Sequence, residues 1–186
     1  MFGWIFLGIL VILIIWVIGM YNNLVTLQNQ VQNAWQQIDV QLKRRHDLIP
    51  NLLNTVKGAM EFERETLSRV IEARARAVGA QTVSGKGEAE NMLTQALGRL
   101  FALVENYPDL KSNQNILQFQ EELTSTENRI GFARQFYNDI VAQFNIKRGV
   151  FPSNIIAALF GFKAGEYFQT EEAAREVPKL DLSLKK

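Results

Sequence analysis

The chain opens with a block in which nearly every position is apolar, then changes to a helical alternation of apolar and polar positions. Residues 1–21, MFGWIFLGILVILIIWVIGMY, hold no charged side chain and almost no polar one. At about 1.5 Å of rise per residue, about twenty helical residues cover the roughly 30 Å hydrocarbon core of a bilayer. Trp4 lies near one end, and Trp16 and Tyr21 near the other, where amphipathic rings favour the interface. A cleaved signal peptide needs a basic leading region and a small-residue cleavage site. Neither is present, so residues 1–21 are expected to be an uncleaved transmembrane anchor.

Beyond Tyr21, residues Leu24, Leu27, Val31, Ala34, Ile38 and Leu42 follow steps of three and four, an apolar stripe on one helix face. The rest of that helix is polar but uncharged, with Asn22, Asn23, Gln28, Asn29, Gln30, Gln32, Asn33, Gln36 and Gln37. No Gly or Pro separates it from the apolar block, so one helix is expected to leave the membrane and continue to about Arg45. Pro50 then interrupts, because proline removes a backbone donor and clashes inside a helix. Asp47 can cap a new helix with Pro50 in its first turn. The expected connection is His46–Ile49, and the second helix runs to about Gly79 on Leu52, Leu53, Val56, Met60, Leu67, Val70 and Ile71. A single helix from 22 to 78, kinked at Pro50, is the alternative.

Residues 79–88, GAQTVSGKGE, hold three glycines and read as a flexible connection. A third helix is expected from Ala89 to Tyr107, stopped by Tyr107-Pro108-Asp109. Ser112 or Asn113 can cap a fourth helix to about Lys147, closed by Gly149. Nothing reads as a strand. The expected fold is all-α: a transmembrane helix continuing into an antiparallel up-and-down four-helix bundle. The alternative is a three-helix arrangement with a long first helix kinked at Pro50. The expected organisation is anchor 1–21, bundle 22–149 and an aromatic-rich tail 150–186.

Composition removes most enzyme chemistries. In 186 residues there are 20 Lys+Arg, 19 Asp+Glu, one His and no Cys. Near-neutral charge argues against nucleic acid. Without Cys there is no thiolate nucleophile, and one His excludes sites with two His ligands in one chain. The stretch Gly79–Lys86 fails the phosphate-loop pattern in spacing and lacks a preceding strand. A di-iron bundle needs Glu-x-x-His twice, and no Glu here has His three residues on. His46 and Asp47 are sequence neighbours, point apart on a helix and are expected at a surface turn. Glu121, Glu122 and Glu127 read as a solvated face or as partners for Arg129 and Arg134, and Asp39 as a partner for Arg44 or Arg129. No catalytic, metal-binding or cofactor-binding residue is expected, and no small-molecule substrate.

The interaction candidates are Asn22, Gln28, Gln32 and Gln36 for helix pairing, with Phe151, Phe160 and Phe162 for membrane or partner contact. Uncharged amides pair helix to helix without repulsion, which favours a homo-oligomer. The tail can pack on the bundle, lie at the lipid surface as an interfacial helix, or bind a membrane-protein partner. The run Lys43-Arg44-Arg45 mildly favours a cytoplasmic body with the short N-terminus outside.

Several segments resemble the LemA family. They include Ala34-Trp35, Ile38 to Leu52 (IDVQLKRRHDLIPNL), Glu63-Arg64-Glu65-Thr66-Leu67, Leu97-Gly98-Arg99-Leu100, Glu105 to Leu110 (ENYPDL), Glu127-Asn128-Arg129-Ile130, Phe151-Pro152-Ser153-Asn154 and Phe160-Gly161-Phe162. The similarity spans nearly the whole chain. It implies a bacterial single-pass inner-membrane protein with an antiparallel helical bundle and its short N-terminus outside. It also implies no assigned catalytic residues, and links to envelope stress and membrane organisation. The resulting expectation is a non-enzymatic, self-associating membrane scaffold, with an accessory subunit of a membrane enzyme such as a protease as the alternative.

Overall fold

A computed structural model describes residues 2–58 and 63–168. Its helices are α1 (Phe2–Lys57), α2 (Arg64–Gly79), α3 (Val83–Val104), α4 (Pro108–Lys111), α5 (Gln114–Gly149) and α6 (Ser153–Leu159). The fold is all-α, with no strand among the described residues. Helix α1 spans 56 residues, roughly 84 Å at about 1.5 Å per residue. Its first stretch is long and apolar enough to cross a membrane, and none of it is buried against protein.

The helix passes through Pro50 without a break, so the connection expected at His46–Ile49 lies instead between α1 and α2. The physical reason is local. Proline at 50 has no N–H to give the carbonyl of residue 46. Arg74 on α2 supplies the missing donor, with Nε 2.8 Å from the His46 carbonyl. Ile49 and Leu52 on either side are fully buried, so tertiary packing holds the turn that proline weakens. Four long helices remain, with a longer first one and a later turn.

The third helix also starts early. Thr82 is extended, and its Oγ1 accepts from Gly85 N at 3.0 Å, which caps α3 six residues before Ala89. The glycines at 85 and 87 therefore sit in its first turns, and Gly87 is buried. At α5 the expected cap holds: Asn113 Oδ1 accepts from Asn115 N at 2.9 Å. Ser153 is the first residue of α6 and is buried.

Helices α1 and α5 form a long pair, and α2 and α3 a hairpin over the half farther from the apolar stretch. The core has three blocks along this rod. Farthest out, Ile49, Leu52 and Val56 of α1 meet Val70 and Ala77 of α2, Leu93, Leu97 and Leu100 of α3, and Ile116 and Leu123 of α5. In the middle, Ala34, Ile38 and Leu42 pack on Ile130, Tyr137 and Val141, closed by Phe168. Nearest the apolar stretch, Leu24 meets Phe144, Ile156 and Ala157. The stripe read from the sequence is this seam: Leu24, Ala34, Ile38 and Leu42 are buried, and Leu27 and Val31 half-buried. The fully buried Leu24, Ile38 and Leu42 each contribute about 1.5–3 kcal/mol.

Candidate interaction surfaces

The tail folds back at the end of the rod next to the apolar stretch. Helix α6 seats Ile156 and Ala157 against Leu24, beside Val17 and Met20. Phe160 and Phe162 pack on Tyr21, with ring centroids 4.8 and 5.8 Å away. Residues 162–168 then run back along α5 in extended form. Two asparagines spaced seven apart hold them, each pairing with both the N–H and the C=O of one residue. Asn145 accepts from Gly165 N at 2.8 Å and donates to its carbonyl at 3.0 Å. Asn138 does the same with Phe168, at 2.8 and 3.1 Å. Arg148 Nε donates to Phe162 O, and Tyr137 Oη to Glu166 O. Gly165 suits this close approach, since an added Cβ would lie 3.2 Å from Val141 Cγ1 and the valine would have to shift by a few tenths of an ångström. Helical periodicity carries no signal for this segment, because side-chain amides replace a regular ladder.

Phe151, Ile155 and Leu159 follow steps of four and point away from the protein, 79%, 56% and 75% exposed. With half-exposed Phe160 they form an apolar collar level with the end of the candidate span. Lys147, Arg148 and Lys163 stand nearby in sequence.

The polar core lies midway along the rod. Arg45 and His46, consecutive on α1, both reach Glu90 of α3, which is fully buried. Arg45 Nη1 is 3.1 Å from Glu90 Oε2 and 2.9 Å from Glu127 Oε2 on α5, and Nη2 donates to Thr94 Oγ1 at 2.8 Å. His46 Nε2 lies 2.6 Å from Glu90 Oε1. One carboxylate thus joins α1 to α3, and a second joins α1 to α5. The surface turn expected for His46 is therefore wrong: the unbroken α1 carries it into the core. Asp39 pairs with Lys86 rather than with Arg44 or Arg129. Lys86 also stands over the Trp35 ring, 5.1 Å from its centroid. Glu127 serves Arg45, and Arg134 instead stacks on Phe168 at 4.6 Å. Burial pushes the Arg134 guanidinium below its ordinary pKa, Glu127 and Glu90 oppose that, and Arg45 adds to it. Burial, then Glu166, raises the Tyr137 phenol.

Asn22, Gln28, Gln32 and Gln36 are all exposed. They do not form one patch. Gln28 and Gln32 line a shallow recess with Trp35, Gln81 and Val83, whereas Asn22 and Gln36 flank Asn29 at intervals of seven on the outer side of α1. Phe160 and Phe162 come together on Tyr21, whereas Phe151 stands apart on the collar. A cleft of about 890 Å³ at the far end is lined by Pro50, Leu53, Leu67 and Ile71 with Lys57, Arg64 and Arg74.

Residues 34–182 match the LemA family. The chain is 30% identical over 159 residues to Protein LemA of Metamycoplasma hominis, covering 85% of this chain and 73% of that protein. It is 29% identical over 184 residues to Magnetosome protein MamQ 2 of Paramagnetospirillum magneticum, and 27% identical to Magnetosome protein MamQ of Magnetospirillum gryphiswaldense. Both alignments cover 85% of this chain and 67% of the relative. With a bare apolar stretch leading into a bundle, and a family match over most of its length, the chain is a membrane-associated bacterial protein belonging to the LemA family.

Proposed function

We propose that the protein is a non-enzymatic scaffold, anchored by residues 1–21 in the bacterial inner membrane with its body in the cytoplasm, that self-associates and organises membrane-bound partners. The observation that carries this reading is the continuity of α1. One unbroken helix leads from the apolar stretch to Lys57, so the bundle is joined to its anchor without a hinge. Copies confined to one bilayer then stand parallel, with equal residues at equal heights, and confinement raises their effective concentration. Asn22, Asn29 and Gln36 suit such pairing, since seven-residue spacing repeats on one side of a helix and amides fix register in parallel coiled coils. The collar of Phe151, Ile155, Leu159 and Phe160 fits the lipid interface at the base of the rod. The non-enzymatic reading rests on the polar core, where Arg45, His46, Glu90 and Thr94 satisfy one another around a fully buried Glu90.

The test is the mass of full-length protein extracted in native lipid particles, beside an Asn29→Lys/Gln36→Lys variant. A homogeneous assembly that the two lysines disperse is expected. A monomer in both preparations overturns self-association. Recovery of full-length protein in the carbonate-soluble fraction overturns the anchor. Because the chain has no Cys, a single Cys placed at Phe2 or Lys111 reports the side of the membrane with an impermeant maleimide.

A further inference from the structure

Among the described residues, the α1–α5 pair is covered on one flank only. The hairpin of α2 and α3 and the returning tail both sit on the flank of Trp35, Asn138 and Asn145. On the other flank runs an open groove of about 440 Å³, lined by Gln37, Val40 and Gln41 of α1 and Arg129, Phe132, Ala133 and Phe136 of α5. Its floor is apolar and bare: Phe132 is 74% exposed, Val40 63% and Phe136 47%. Gln41 Oε1 is buried at its edge with no hydrogen-bond donor. Arg129 forms no ion pair among the described residues, nor does Arg44, one helical turn from Val40. No carboxylate lines the groove: Asp39 and Glu127 are held by Lys86 and Arg45, and Asp139, exposed and three residues beyond Phe136, stands past its end on α5.

We infer that this groove docks an acidic amphipathic helix from another protein. The floor takes apolar side chains at helical spacing, and the two free guanidiniums pair with carboxylates along the rim. Lipid does not fit, because Val40 lies nineteen residues past Tyr21, roughly 28 Å along α1. A second copy does not fit either. Parallel copies paired through this flank would set Arg44 and Arg129 against their own counterparts at the same height.

This inference rests on the scaffold reading by naming the class of partner it organises, yet the two fail separately. Self-association is read from particle mass, and the groove from peptide binding. The experiment uses full-length protein in zwitterionic nanodiscs and a labelled synthetic helix with Leu and Phe on one face and Glu on the other. Its control is the same peptide with Lys for Glu. Fluorescence anisotropy is expected to show micromolar binding of the Glu peptide and at least tenfold weaker binding of the Lys peptide. Phe132→Ala should weaken the Glu peptide at least fivefold. Arg44→Glu/Arg129→Glu should reverse the preference between the two peptides. All three side chains are exposed, so unchanged melting temperatures will certify the folds. Equal binding of both peptides, or binding indifferent to these substitutions, overturns the inference. So does a cysteine at Phe132 that crosslinks two copies of this chain, since the face then belongs to a second copy.

Discussion

Replacing Arg74 with alanine tests how α1 survives Pro50. The His46 carbonyl would normally accept from the N–H of residue 50, which proline lacks. Arg74 Nε fills that position at 2.8 Å in a half-buried setting. A hydrogen bond from a charged donor is worth about 1.5–3 kcal/mol net, and partial exposure places this one near the low end, about 1.5–2 kcal/mol. For a chain of this size, about 2–4 °C of melting temperature accompanies each kcal/mol, so Arg74→Ala should melt about 3–8 °C lower. Pro50→Ala returns the N–H and removes the ring clash, which is worth up to about 3 kcal/mol in a helix interior. It should therefore stabilise. In that background the carbonyl has its own helical donor, and Arg74→Ala should cost about 0.5 kcal/mol or less. The four proteins, melted by circular dichroism in one detergent, form a cycle with an expected coupling of about 1–1.5 kcal/mol. Additivity within about 0.5 kcal/mol would show that Arg74 does not substitute for the missing donor, and the account of the unbroken helix would fail.

Three further outcomes concern the polar core and the returning tail. Glu90→Ala leaves His46 and one bond of Arg45 without an acceptor; at about 1–3 kcal/mol for each unmet buried group it should cost about 3 kcal/mol, whereas Glu65→Ala, from an exposed pair with Arg69, should cost under about 0.5 kcal/mol by the same melts. The Tyr137 phenol is raised above its ordinary 10.0, so the fold favours the neutral ring: its contribution is complete below pH 10 and is lost as pH rises through the higher folded value. Tyr137→Phe should lower stability at pH 7, by loss of the bond to Glu166 O, yet make the decline above pH 10 shallower; Tyr107, also raised, leaves a residual slope. A decline as steep as in the unmodified protein would contradict the assignment. Asn145→Ala removes both bonds to Gly165 and should speed amide exchange across 162–168 while residues 34–42 of α1 stay protected; uniform exchange would tie the tail to global unfolding.

The sequence by itself determined the elements and the inner faces. An uninterrupted apolar block can only be a span or a core helix, and 3–4 spacing names the buried stripe whatever it packs on. Leu24, Ala34, Ile38 and Leu42, Leu93 to Val104, and Ile130 to Phe144 follow from that rule, as does the Asn113 cap. Local rules failed where a distant residue changed the local balance. Pro50 reads as a stop until Arg74, 24 positions on, satisfies the His46 carbonyl. The glycines at 85 and 87 read as a loop until Thr82 caps the turn and Lys86 meets Asp39 and Trp35 on α1. Which charges pair was likewise undetermined, because Arg45, Glu90 and Glu127 lie on three helices whose rotation is set by packing. The same holds for the two flanks of the α1–α5 seam. Periodicity separates inside from outside, but only the placement of α3 and the tail decided that Trp35 would be covered and Phe132 left open. Coupling between residues far apart in the chain is a property of three-dimensional packing, and no window of sequence contains it.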